Sequence, residues 1–141
     1  MMGFVLRVVI TAAGLWIATQ AVAGVHVRST ATLLIAALQG DKVGAATPFY
    51  GAPLGDMAPD WSKLSASVQG HFAENDDFFP PSAVKDLERQ LSDMGKDVEF
   101  IVYPGTGHAF GNEENALGTH DEQAAATAWD RATAFLKAKL G

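Results

Sequence analysis

The chain has 141 residues, room for one domain with one modest core, and 48% of them are apolar, an ordinary share for a globular fold. A net charge of -6, with only 10 Lys and Arg and no basic cluster, argues against a nucleic-acid or anionic-membrane surface and leaves small molecules or proteins as partners. The complete absence of cysteine removes disulfides, thiolate metal sites and a thiol nucleophile together, and says nothing about the redox compartment.

Residues 1–24 carry one charge, Arg7, and then an uncharged run that ends in Ala21-Val22-Ala23, the outline of a secretory signal peptide. Thr11, Thr19 and Gln20 dilute the run below what a membrane span requires, and a buried strand or helix is the competing reading. The expected location is the cytoplasm, with export through residues 1–23 as the alternative. Residues 29–39 place Ala31, Leu34, Ile35 and Leu38 at helical spacing, with Gly40 as the stop. VGAATPFYG (residues 43–51) predicts a short buried parallel strand opening into the loop 51–61, and a second strand is expected over 67–72. Pro80 and Pro81 start a helix with Val84, Leu87, Leu91 and Met94 on one face and Gly95 as its left-handed stop. VEFIVY (residues 98–103) predicts a strand, and residues 121–140 a long helix with Ala125, Trp129, Ala132, Phe135 and Leu136 inward.

Strand, helix, strand, helix in this order implies an α/β fold: a mostly parallel sheet joined by right-handed crossovers and flanked by helices. Loops at the carboxyl ends of such strands gather at one edge, where ligands bind. Two of them carry titratable groups: Asp76 and Asp77 follow the strand at 67–72, and His108 follows the strand at 98–103. An imidazole that takes a proton from a nucleophile needs a carboxylate on its other nitrogen, and the order acid then histidine is the one α/β hydrolases use. Gly105 and Gly107 let the chain turn and expose His108. An acid ahead of Pro80 and Pro81 also suits the positive end of a helix, and periodicity does not decide which of the two faces His108. Glu113, Glu114, His120 and Asp121 lack metal-ligand spacing, and Asp121 suits an N-cap, so neither a metal nor a cofactor is expected. His26 and His71 read as core-edge residues, and Trp16, Trp61 and Trp129 as packing. The nucleophile is not identified, since no Ser or Thr sits in a turn of the G-x-S-x-G type.

The strings VGAATPFYG (43–51), GHFAENDDFFPP (70–81), VEFIVYPGTGHAF (98–110) and ATAWDRATAFLKAKL (126–140) resemble the C-terminal half of the dienelactone hydrolase family, over about residues 40–140. The resemblance implies a partial α/β-hydrolase fold with its N-terminal strands missing. It also implies hydrolysis of dienelactones (carboxymethylenebutenolides) and related small esters or lactones by a Cys, Asp, His triad. Asp76 in AENDDFFPP then resembles the triad acid and His108 in GTGHAF the triad histidine. Family members place a glycine-flanked Cys ahead of a helix like residues 31–39, whereas this chain reads GVHVRSTA over 24–31, with no such elbow. An Arg that helps bind a carboxylate substrate in some members is not seen in HAFGN (108–112).

Two segments are therefore expected, an atypical apolar stretch over 1–30 and the hydrolase-like part over 31–141. The leading expectation is a truncated hydrolase with little or no activity. A hydroxyl nucleophile such as Ser29 is a second reading, and a non-catalytic binding or interaction module, exported or membrane-tethered, is a third. An uncovered sheet is further expected to drive self-association.

Overall fold

The computed structural model describes residues 8–9, 43–53, 56 and 58–141. Apart from residues 8–9, the signal-like run, the helix at 29–39, His26, Ser29 and the GVHVRSTA stretch lie outside the described residues. Four parallel strands stand in the order β1 (Val8–Val9), β2 (Ala45–Ala46), β3 (Ser67–Asn75) and β4 (Val98–Gly107). The helix α1 (Pro81–Asp93) connects β3 to β4, and α2 (Glu122–Leu140) follows β4.

The strand expected over 43–51 is regular only at Ala45–Ala46, because Pro48 has no N–H to give and Tyr50 turns into the left-handed region at φ 59°. Its line continues irregularly, with Pro48 accepting from His71 N–H (2.9 Å) and Tyr50 N–H donating to the His71 carbonyl (2.9 Å). Strands β3 and β4 run further than the expected 67–72 and 98–103. They pair in register from Val68 opposite Val98 to Ala73 opposite Tyr103, then rejoin at Asn75 opposite Gly107. Between those last two pairs β4 holds the longer stretch, a bulge built on Pro104 and on Gly105 at φ 74°. Glu74 stabilises it by accepting the Gly105 N–H at 2.8 Å.

Alternation along β3 splits the core between the two sheet faces. On one face Val68 and Ala46 pack with Leu87 and Leu91 of α1, with Trp61 and Leu64 closing the end. Val84, Leu87 and Leu91 are buried as their spacing requires, but Met94 falls at the C-cap and is exposed. The stop at Gly95 (φ 73°) lets Lys96 N–H reach back to the Leu91 carbonyl at 3.0 Å. On the other face Phe49, Ala73, Tyr103 and Phe110 meet α2 through Ala128 and Ala132. Small side chains bring this helix close to the sheet, so its buried residues are Ala125, Ala128 and Ala132, while Trp129, Phe135 and Leu136 lie half-buried at its flanks. Asp121 caps α2 by accepting the Ala124 N–H at 2.8 Å, and Lys139 ties its far end to Asp97 at 2.6 Å.

Candidate active site

Asp76 is the first residue after β3 and His108 the first after β4. Because these strands are adjacent and parallel, both side chains emerge at the same sheet edge. Asp76 Oδ2 lies 2.8 Å from His108 Nδ1. The other carboxylate oxygen, Oδ1, accepts the backbone N–H groups of Phe78 (2.9 Å) and Phe79 (3.0 Å). This Asx-type turn fixes the carboxylate in a single orientation, and its side chain is fully covered, whereas Asp77 is exposed. Asp76 therefore serves the turn before α1 and not the helix end itself, whose N-cap, Pro80, has no side-chain cap.

On the histidine side, several features hold the turn. Gly105 supplies the positive φ of the bulge, while Gly107 is needed for close approach, since a Cβ there would stand 2.7 Å from Thr119 Cγ2. Thr119 Oγ1 donates to the His108 carbonyl at 2.5 Å. The sharp reversal falls on Ala109 (φ 64°), and the next side chain, Phe110, is wholly buried and anchors the loop. His108 keeps part of its imidazole at the surface, ringed by Phe78 (centroids 4.8 Å apart), Tyr50 (5.7 Å) and Phe79 (6.3 Å). With Nδ1 engaged by the acid, Nε2 is the nitrogen left to exchange a proton, the arrangement a general base requires.

The remaining titratable groups fall elsewhere. His71 is fully buried rather than at the core edge, with Nδ1 2.9 Å from the Tyr103 hydroxyl and its ring stacked on Phe49 at 4.5 Å. Burial pushes its pKa down to about 4, with the Arg131 charge adding in the same direction, so it is neutral near pH 7. Glu113 and Glu114 are exposed in the loop before α2, and His120 N–H donates to Asn115 Oδ1 at 2.9 Å. Among the described residues no group of three or more His, Cys, Asp or Glu is placed to hold a metal ion, and no helix is long and apolar enough to cross a membrane. Tyr50 and Thr119, which brace the histidine turn, carry no sequence signal, since a strand-end tyrosine and a loop threonine announce nothing until the chain is folded.

The dienelactone hydrolase family matches residues 23–140. The chain belongs to the dienelactone hydrolase family. The match begins earlier than the resemblance near residue 40 suggests, and it runs through the GVHVRSTA stretch. Among curated relatives, Protein usf of Aquifex pyrophilus is 33% identical over 100 residues, covering 71% of this chain and 42% of that protein. A protein of Aquifex aeolicus named provisionally as a carboxymethylenebutenolidase is 31% identical over 111 residues, covering 79% and 47%. A provisionally named dienelactone hydrolase from Klebsiella pneumoniae superposes with a TM-score of 0.64 at 26% identity, covering 71% of this chain and 44% of that one. A dienelactone hydrolase-like phosphotriesterase, P91, from metagenomic libraries shares the fold with a TM-score of 0.70 at 21% identity, covering 80% and 49%. This dienelactone hydrolase family chain thus spans about half the length of the relatives it matches, and they align through their C-terminal halves. Its fold is a partial α/β-hydrolase fold.

Proposed function

We propose that the chain carries the acid and the base of an ester- or lactone-hydrolysing site, Asp76 orienting and His108 acting as general base, and that it turns over little or nothing by itself. The observation that carries this reading is the 2.8 Å contact between a fully covered carboxylate and a partly exposed imidazole at the carboxyl edge of a parallel sheet. In a complete triad the nucleophile's proton passes to His108 Nε2 as the nucleophile adds to the acyl carbonyl. Asp76 stabilises the imidazolium, which then returns the proton to the departing alkoxide. The chain offers no cysteine and no glycine-flanked serine for the attack, and losing a triad nucleophile costs about 10⁶ in turnover. The aromatic ring of Phe78, Phe79 and Tyr50, and the absence of Arg or Lys over residues 108–112, favour small uncharged esters or lactones over carboxylate-bearing ones. Self-association is part of the proposal, since among the described residues β4 has a neighbour on one side only.

Hydrolysis of p-nitrophenyl acetate and of a small lactone by the wild type and by His108→Ala tests the reading. Slow hydrolysis without an acyl-enzyme burst, lowered to buffer level in His108→Ala, is expected. Turnover of ordinary enzymatic size, about 1–10³ s⁻¹, would sink it.

A further inference from the structure

The same sheet edge contains a strained residue that is neither the acid nor the histidine. Tyr50 holds φ 59°, a left-handed backbone that a bulky residue rarely adopts. Such an outlier persists only where surrounding contacts hold it in place. Those contacts are specific here. Tyr50 N–H is bound to the His71 carbonyl at 2.9 Å, which fixes the backbone to β3. The ring packs edge-on against Phe49 (5.5 Å) and Phe110 (5.1 Å). The phenol oxygen accepts the Gly111 N–H at 2.7 Å, across 61 residues of sequence. Gly111 lies three residues past His108, just after the reversal at Ala109, so this bond crosses from the irregular segment that follows β2 to the histidine turn. A Cβ at position 111 would collide with the Tyr50 hydroxyl, which shows how closely the two are matched.

Resting on the proposed Asp76–His108 pair, we infer that Tyr50 is a positioning residue: its hydroxyl, held by the strained backbone at Tyr50 beyond β2, is the strut that sets the His108 turn so that Nδ1 meets Asp76. The strut acts on the backbone three residues beyond the imidazole, while Thr119 holds the His108 carbonyl itself. Both contacts hold the backbone on the C-terminal side of the imidazole, where the buried Phe110 and the Asn112 N–H to Ala109 carbonyl bond (2.8 Å) keep the turn in place, so losing the Tyr50 acceptor loosens the setting of His108 without unfolding the loop. The phenol does this as a neutral acceptor, since burial keeps its proton on. Tyr50→Phe keeps the ring and its packing and deletes only the acceptor, which separates positioning from bulk.

The test is proton NMR of the full chain in water. An imidazole N–H donated to a buried carboxylate resonates far downfield of the amides, and Asp76→Asn assigns that signal by abolishing it. In Tyr50→Phe the signal is expected to broaden beyond detection, with amide exchange at Gly111 accelerated at least about tenfold. Leu91→Ala, which opens a cavity on the opposite sheet face, is expected to keep the signal at matched temperature below its own melting point. Should Tyr50→Phe not fold, Gly111→Ala probes the same contact from the other end and is expected to lose the signal as well. If both fold, the double variant is expected to be no worse than Tyr50→Phe alone, because the colliding hydroxyl is gone. A sharp downfield signal and unchanged Gly111 protection in folded Tyr50→Phe, or in folded Gly111→Ala, would overturn the strut while leaving the acid–histidine pair intact. A wild-type spectrum with no such signal would overturn the pair itself, and the strut with it.

Discussion

Asp76 accepts three hydrogen bonds with one carboxylate, so the two ways of changing it should separate its structural and chemical roles. Asp76→Ala leaves the Phe78 and Phe79 N–H groups and His108 Nδ1 without their acceptor in a site that covers the side chain completely. Each such loss costs about 1–3 kcal/mol, and water reaching the exposed Phe78 side of the turn offsets part of it, giving about 2–4 kcal/mol in all. Asp76→Asn keeps an oxygen for the two backbone donors and should cost about 1 kcal/mol. Its NH₂ group, however, faces Nδ1, and the imidazole can accept from it only by moving its own proton to Nε2. That is the wrong tautomer for a base. Urea unfolding should place Asp76→Ala about one to two decades below Asp76→Asn in folding equilibrium constant, and nitrogen-detected NMR near pH 8 should find the His108 proton on Nε2 in Asp76→Asn. Equal midpoints for the two variants would show that the Phe78 and Phe79 N–H groups do not depend on an acceptor at position 76, and a proton still on Nδ1 in Asp76→Asn would show that the acid does not set the tautomer.

Other consequences concern the scaffold. His71 is held neutral by burial, its pKa falling from 6.5 to about 4, so between those values the unfolded chain binds more protons than the folded one. Stability should therefore be complete above about pH 6.5 and decline by about 3 kcal/mol as pH falls toward 4, and His71→Phe should flatten that part of a urea-midpoint profile. A wild-type profile no steeper than that of His71→Phe would contradict the assignment. Gly70→Ala puts a methyl 2.5 Å from the buried Phe72 ring and 2.9 Å from Phe100, and about 1–3 kcal/mol of destabilisation by urea unfolding is expected. Leu91→Ala, at a position 1% exposed between α1 and the sheet, should cost about 2–5 kcal/mol by the same measurement. Light scattering of the purified chain should give a mass above that of one chain, and a single monomeric species across concentrations would count against pairing through the sheet.

The acid–histidine pair was legible because both residues sit immediately after strands, where a parallel topology alone brings loops together. Choosing Asp76 over Asp77 needed more than spacing, since the choice depends on which carboxylate closes a turn onto the N–H groups of Phe78 and Phe79, and the family resemblance supplied it. Strand ends were misjudged where P-G reads as a turn: Pro104 and Gly105 instead form a bulge inside β4, because Glu74 on the neighbouring strand supplies an acceptor that local sequence cannot reveal. The inward face of α2 was legible in part: Ala125 and Ala132 are buried as their spacing requires, but close approach to the sheet adds Ala128 and leaves the bulkier Trp129, Phe135 and Leu136 half-buried. His71 reads as a polar residue for the periphery, yet Phe49 and Tyr103, distant in sequence, build the site that buries it.

Whether Asp76 and His108 form an oriented base without a nucleophile to serve can be read from the intact mass of the chain after incubation with excess fluorophosphonate ester, which captures an activated hydroxyl covalently. The wild type and His108→Ala are each expected to keep their own unmodified mass. A stoichiometric adduct on the wild type that His108→Ala fails to form would contradict this expectation, and would show that a hydroxyl of this chain, Ser29 first among the candidates, is activated by the pair.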